Sequence, residues 1–157
     1  MSIIAQGATI PAADVKENAP DSTSPLELKG KNVLIGVPGA FTTPCNGHLP
    51  EFIAKYDEFK AKGVNNVYVF AVNDTFVTKA WKEFLAPEGT GVRFIADDQG
   101  KFVSSLGLQL DATGLLGGLR SKRWAIIADD DKVSKIFVED APPNVTVTAA
   151  GALLKEL

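Results

Sequence analysis

The sequence predicts an α/β domain with a mixed central sheet and helices on both of its faces. Short apolar runs alternate with helical stripes in the order β-α-β-α-β; two strands framing an acidic turn and a last helix follow. The first run, Val33-Leu34-Ile35-Gly36-Val37, is continuously apolar, as expected of a strand buried on both faces. With 157 residues the chain can bury roughly 70% of its unfolded surface as a single domain over 1–157, without disulfides.

Each element carries its own signal. Residues 11–31 hold Pro11, Pro20 and Pro25 among Asp, Ser and Lys, and read as an extended lead-in over the surface. After the strand at 33–37, Leu49, Phe52, Ile53, Tyr56 and Phe59 share one helical face, and Gly63 closes that helix. Residues 67–72 form the next strand. Asp74 or Thr75 caps a helix through Ala80, Trp81, Phe84 and Leu85, which breaks at Pro87. A third strand spans 92–95, and 102–106 is a helical turn. Residues 108–119 are a loop rich in Gly and Leu. The strands 124–128 and 133–138 form a hairpin around Asp129-Asp130-Asp131, and Thr148 is a suitable N-cap for a helix over 149–157. No repeat or low-complexity tract interrupts this order.

Composition removes several functional classes. A net charge of -3 gives no electrostatic reason to expect nucleic acid or an anionic membrane as partner. Residues 1–6 lack a basic region and a long apolar run, so no secretory signal is expected, and no stretch approaches the ~20 apolar residues of a membrane span. The single cysteine cannot form an intrachain disulfide, which points to a compartment where thiols stay reduced. The cytoplasm is expected, with peroxisome and mitochondrion left open. The tail Lys155-Glu156-Leu157 departs from the Ser-Lys-Leu peroxisomal address at two of its positions. Asn73-Asp74-Thr75 and Asn144-Val145-Thr146 match a glycosylation pattern that is irrelevant to a cytosolic chain. The Asp runs at 97–98 and 129–131 read as turn chemistry rather than metal ligands. The Gly114–Gly118 loop follows no strand and opens no helix, so it is no phosphate cradle.

The chemistry concentrates in Pro38-Gly39-Ala40-Phe41-Thr42-Thr43-Pro44-Cys45, between the first strand and the first helix. A lone cysteine, taken without context, reads as a small buried apolar residue. Here the context is a helix start, where unpaired backbone N–H groups and the helix dipole favour an anion, and thiolate is the reactive form of the side chain. His48, the only histidine, lies three residues further on and therefore one turn away on the same face.

Pro38, Thr42 and Cys45 match the Pro-x-x-x-Thr-x-x-Cys signature of the peroxiredoxins, and Pro-Gly-Ala-Phe-Thr resembles their type II, or peroxiredoxin-5, branch. The resemblance extends to Val-Asn-Asp-x-Phe at 72–76, Arg-Trp-Ala at 123–125 and Val-Thr-Val-Thr at 145–148, so it spans nearly the whole chain. It implies a thioredoxin-like fold and a thiol-dependent peroxidase that reduces hydrogen peroxide and alkyl hydroperoxides. No metal or organic cofactor is implied, because sulfur carries the electrons.

The same resemblance assigns roles. Cys45 attacks the peroxide and becomes a sulfenic acid. Thr42 exchanges hydrogen bonds with thiolate and peroxide; its ordinary reading is an N-cap or turn hydroxyl. Pro38 shields the thiolate, or is simply a turn former. Arg123, the arginine directly before an aromatic at a strand start, stabilises the thiolate and polarises the peroxide with a planar, permanently charged fork. Arg120 and Arg93 have no motif behind them and read as surface charge. Phe41 and His48 border the substrate.

Two departures from the relatives matter. Only Asn46 and Gly47 separate Cys45 from His48, one residue fewer than usual. One residue is ~100° of helix, so the relatives would need a π-bulge that this helix lacks. His48 is accordingly either catalytic or a polar residue on the helix surface. The second departure is the absence of a resolving cysteine. The sulfenic acid then reacts with an external thiol, from glutathione with glutaredoxin or from thioredoxin. A symmetric dimer is implied, with Phe41, Phe76, Leu115 and Leu116 near the active site. Two rival functions share the fold: a peroxide sensor or redox relay, and a non-enzymatic, chaperone-like binding module with an ordinary Cys45.

Overall fold

A computed structural model describes residues 2–157. The chain opens with two short paired strands, β1 (Asp14–Val15) and β2 (Ser24–Pro25). Next come β3 (Lys31–Val37), α1 (Thr43–Ala54), α2 (Tyr56–Ala61), β4 (Val64–Ala71) and α3 (Thr75–Leu85). The second half holds β5 (Arg93–Ala96), α4 (Lys101–Ser105), β6 (Gln109–Asp111), α5 (Thr113–Leu116) and β7 (Leu119–Ser121). It ends with β8 (Trp124–Asp129), β9 (Lys132–Val138) and α6 (Ala150–Leu154).

The central sheet has the order β5-β4-β3-β8-β9. Its first three strands are parallel, and β8 and β9 join antiparallel, so the sheet is mixed as the sequence predicts. Alternation along β3 divides the core. Val33, Ile35 and Val37 face a layer built by Leu49 and Phe52 of α1, Phe59 of α2, Trp81 of α3 and Leu153 of α6. Leu34 faces the other way, with Phe70, Trp124 and Ile126, against Phe102 and Val103 of α4 and Ile10 of the N-terminal segment. Each such fully buried large side chain contributes about 1.5–3 kcal/mol relative to exposure. Gly36 in β3 is dictated by its cross-strand partner Trp124, because a Cβ there would lie 2.0 Å from the indole Nε1.

The structure revises several local expectations. The helix expected through residue 59 is broken at Lys55, whose φ of -100° and ψ of 13° end α1 before α2 begins. Pro50 lies inside α1 and removes one backbone donor from it. No π-turn occurs between residues 46 and 60, in line with the expectation that this helix lacks a bulge. The 108–119 loop is largely ordered as the β6–β7 hairpin, with α5 between its strands. The lead-in likewise contains a small hairpin. Thr148 does not cap the last helix: Ala149 occupies the N-cap, and the Thr148 hydroxyl is engaged elsewhere. Asp74 does cap α3, its carboxylate accepting from the Val77 N–H at 2.9 Å. Asp97 accepts from the Phe102 and Val103 amides at the start of α4, and Asp130 turns the β8–β9 hairpin at φ 51°.

Candidate active site

Two junctions at the same end of the sheet meet at Cys45. The first is the turn from β3 into α1. Thr42 is the N-cap of α1, and Pro44 sits early enough in the helix that its missing N–H costs no intrahelical bond. Cys45 follows in the first turn and is wholly buried. The second junction is the start of β8. Trp124 and Ala125 alternate across the sheet, Trp124 packing on the α4 face and Ala125 on the α1 face. Arg123 shares the parity of Ala125, and period two therefore delivers its side chain to the α1 face.

Arg123 is 1% exposed, and its guanidinium makes three directed hydrogen bonds. Nε donates to the Pro142 carbonyl at 2.8 Å, Nη1 to His48 Nδ1 at 2.8 Å, and Nη2 to Cys45 Sγ at 3.1 Å. None of the ion pairs among the described residues involves Arg123. A buried cation without a carboxylate partner is costly unless another group nearby carries negative charge. Of the two side chains it hydrogen-bonds among the described residues, His48 and Cys45, the sulfur is the one that can take negative charge.

His48 is therefore not on the helix surface. It is 1% exposed, and both ring nitrogens are engaged. Because an arginine only donates, His48 Nδ1 must accept, and Nε2–H donates to the Thr148 carbonyl at 2.8 Å. The ring is thus the neutral Nε2–H tautomer. Burial, opposed by the Thr148 bond and reinforced by the Arg123 charge, pushes its pKa down to about 4.

The Thr148 carbonyl is itself held by a carboxylate that no motif in the sequence singles out. Glu139, just past β9, accepts from Thr146 N and Oγ1 at 2.7 and 2.6 Å, and from Thr148 N and Oγ1 at 3.0 and 2.6 Å. Burial works to raise its pKa, but these four donors outweigh it and hold the carboxyl below its ordinary range. The Val-Thr-Val-Thr string marks this segment; nothing in it points to Glu139 as the acceptor.

The remaining residues shape the loop. The Thr42 hydroxyl donates to the Gly39 carbonyl at 2.8 Å; it accepts from no amide of α1 and makes no bond to the sulfur. Pro38 is buried, and its carbonyl accepts from Arg120 Nη1 at 3.3 Å. Arg120 is thus fastened to the motif rather than free on the surface. Arg93 is also engaged, paired with Glu17 at 2.6 Å and lying over the Tyr68 ring. The Ala40 amide donates to Asn73 Oδ1 at 3.0 Å, which gives the Val-Asn-Asp segment its local purpose. Trp81 Nε1 donates to Asn46 Oδ1 at 2.7 Å, one residue from the thiol. Phe41 has φ 64°, a left-handed conformation unusual for a bulky residue, and stands 44% exposed with its ring 5.5 Å from that of Phe84.

Known proteins resemble this chain over nearly its whole length. The Redoxin family model matches residues 5–154. Peroxisomal membrane associated protein 20 of Schizosaccharomyces pombe is 44% identical over 156 residues, covering 99% of this chain and 100% of that protein. Among solved structures, reduced Prx3 of Vibrio vulnificus in complex with hydrogen peroxide superposes with a TM-score of 0.88 at 38% identity, covering 98% of this chain and 99% of that one. Peroxiredoxin 5 of Alvinella pompejana gives 0.87 at 35% identity, covering 97% and 96%.

Proposed function

The chain belongs to the redoxin family as a peroxiredoxin of the type II branch, a thiol-dependent peroxidase of thioredoxin-like fold, and from that premise we propose a one-cysteine cycle carried by Cys45 and Arg123. The observation that carries it is the buried guanidinium with Nη2 aimed at Sγ and no ion-pair partner among the described residues. Such a donor favours negative charge on sulfur and then on the breaking peroxide.

The steps follow from these positions. The Cys45 thiolate attacks the terminal oxygen of a hydroperoxide, the O–O bond breaks, and the departing alkoxide or hydroxide takes up a proton. Sulfur has lost two electrons and holds the oxygen as sulfenic acid. One external thiol displaces water to give a mixed disulfide, and a second restores Cys45 and leaves as a disulfide with the first. One cysteine permits no internal resolution. Glutathione with glutaredoxin, or thioredoxin, supplies the thiols, and the substrates are hydrogen peroxide and alkyl hydroperoxides.

The other residues act around this pair. With its proton committed to Gly39, the Thr42 hydroxyl offers lone pairs to the O–H of an incoming peroxide. Pro38 walls the sulfur from water. Phe41 borders the entrance, while His48 serves by holding Arg123 rather than by meeting substrate. Residues 1–157 act as one domain. Phe41, Phe76, Phe84 and Leu115 are large apolar side chains left exposed, and a symmetric dimer would cover them; sedimentation equilibrium checks this. The expected location is the cytoplasm, which cell fractionation tests.

Stopped-flow fluorescence of the reduced protein with hydrogen peroxide tests the cycle, with Trp81 and Trp124 as reporters beside the site. Fast oxidation, with a sulfenic acid located at Cys45 by mass spectrometry and lost in Cys45→Ser, is the expected result. Oxidation no faster than a free thiol would leave a binding module. Fast oxidation without catalytic turnover on thiols would make the protein a sensor or relay.

A further inference from the structure

Arg123 owes its aim to carbonyls that lie outside the sequence motif. Two of its three bonds lead to the connection between β9 and α6: directly to the Pro142 carbonyl, and through His48 to the Thr148 carbonyl. That connection has no regular secondary structure over 141–148 to hold it. Its two ends are tied together by one side chain. Glu139 Oε2 accepts from Thr146 N, Thr148 N and Thr148 Oγ1, and Oε1 accepts from Thr146 Oγ1. The Glu139 amide also donates to the Arg123 carbonyl at 3.0 Å, so the carboxylate and the arginine share one anchoring point.

We propose that Glu139 is a positioning residue for the peroxidase reaction: by closing the 139–148 loop it fixes the two carbonyls that aim the Arg123 guanidinium at Cys45. Glu139 hydrogen-bonds neither sulfur nor peroxide and acts through the Pro142 and Thr148 carbonyls, and through them on His48 and Arg123. The inference rests on the reading that Arg123 promotes attack by Cys45. What Glu139 supplies is hydrogen-bond geometry rather than charge. A glutamine with its carbonyl at the Oε2 position keeps three of the four bonds, and its NH₂ can donate to the Thr146 hydroxyl.

The test is the second-order rate of Cys45 oxidation by hydrogen peroxide in wild type, Glu139→Ala, Glu139→Gln, Arg123→Ala and the double variant Glu139→Ala/Arg123→Ala. Displacement of a catalytic group by ~1 Å costs about 10²-fold, so Glu139→Ala should slow oxidation by that order. Glu139→Gln should recover most of the loss. In the Arg123→Ala background, Glu139→Ala should change the rate less than about 2-fold, because the residue it positions is gone. An equal slowing in both backgrounds would mean that Glu139 supports the fold generally and would overturn the proposal. So would an unchanged rate in Glu139→Ala. If Arg123→Ala alone oxidises at the wild-type rate, the underlying reading of Arg123 fails instead. Should Glu139→Ala not fold, Thr148→Val replaces it, since it removes one of the four bonds and keeps the backbone. It should then slow oxidation with Arg123 present and not without it, and any other pattern counts against the proposal.

Discussion

Acid should reach this active site through one histidine, and the size of its effect can be worked out. His48 titrates at about 4 in the folded protein and at 6.5 when unfolded. The unfolded chain therefore binds a proton that the folded chain refuses as pH falls between those values. Stability from this group is complete above pH 6.5 and is lost as pH drops through 6.5 towards 4. At pH 5 the unfolded histidine is almost fully protonated and the folded one is not, which costs about 2 kcal/mol; below pH 4 the loss levels off near about 3 kcal/mol. The cause is geometric as well as dielectric. A proton on Nδ1 would face the Arg123 Nη1–H at 2.8 Å, setting donor against donor and cation against cation. As the chain has one histidine, its imidazole C2–H resonance is unambiguous in a proton NMR titration. A midpoint near 4 is expected. Urea unfolding at pH 8 and pH 5 should show wild type losing about 2 kcal/mol more than His48→Asn. A midpoint near 6.5, with no difference between the two proteins, would refute the neutral, arginine-bound ring.

Three further perturbations follow from distances already given. Arg123→Lys keeps the charge but loses the fork that serves Pro142, His48 and Cys45 together, so peroxide oxidation should slow by about 10²-fold in stopped flow. Gly36→Ala drives a Cβ to 2.0 Å from the Nε1 of the fully buried Trp124 indole, and chemical denaturation should register a loss of about 1–3 kcal/mol or more. Gly39→Ala places a Cβ 2.5 Å from Arg120 Nη1 and so disturbs the bond to the Pro38 carbonyl. It should slow oxidation about as much as Arg120→Ala does. The double variant should be little slower than either, since both remove one contact, and additive losses would separate the two.

Much of this protein is legible in the chain itself, because the signals are local. Apolar periodicity locates the sheet strands and the main helices to within a few residues. Asp74 is readable as a cap because capping depends on a side chain and the amides beside it. Cys45 and Arg123 are readable through short motifs. The broken helix at Lys55 is not, since the apolar stripe runs across the break and gives no sign of it. The β6–β7 hairpin also escapes notice, because three-residue strands in a Gly- and Leu-rich segment carry too little periodicity.

What the sequence alone determined is the class of fold, the place of the single cysteine at a strand-to-helix junction and the family, each set by residues near one another in the chain. What only the tertiary structure decided is how the arginine is held. Arg123 lies 75 residues from His48 and 78 from Cys45, and Thr148 lies 100 from His48. Such contacts are set by strand parity, by the β9–α6 loop and by the exclusion of water from the site. No local pattern encodes them. Buried there without an ion-pair partner among the described residues, Arg123 directs its donors to two carbonyl-anchored contacts and to the sulfur of Cys45.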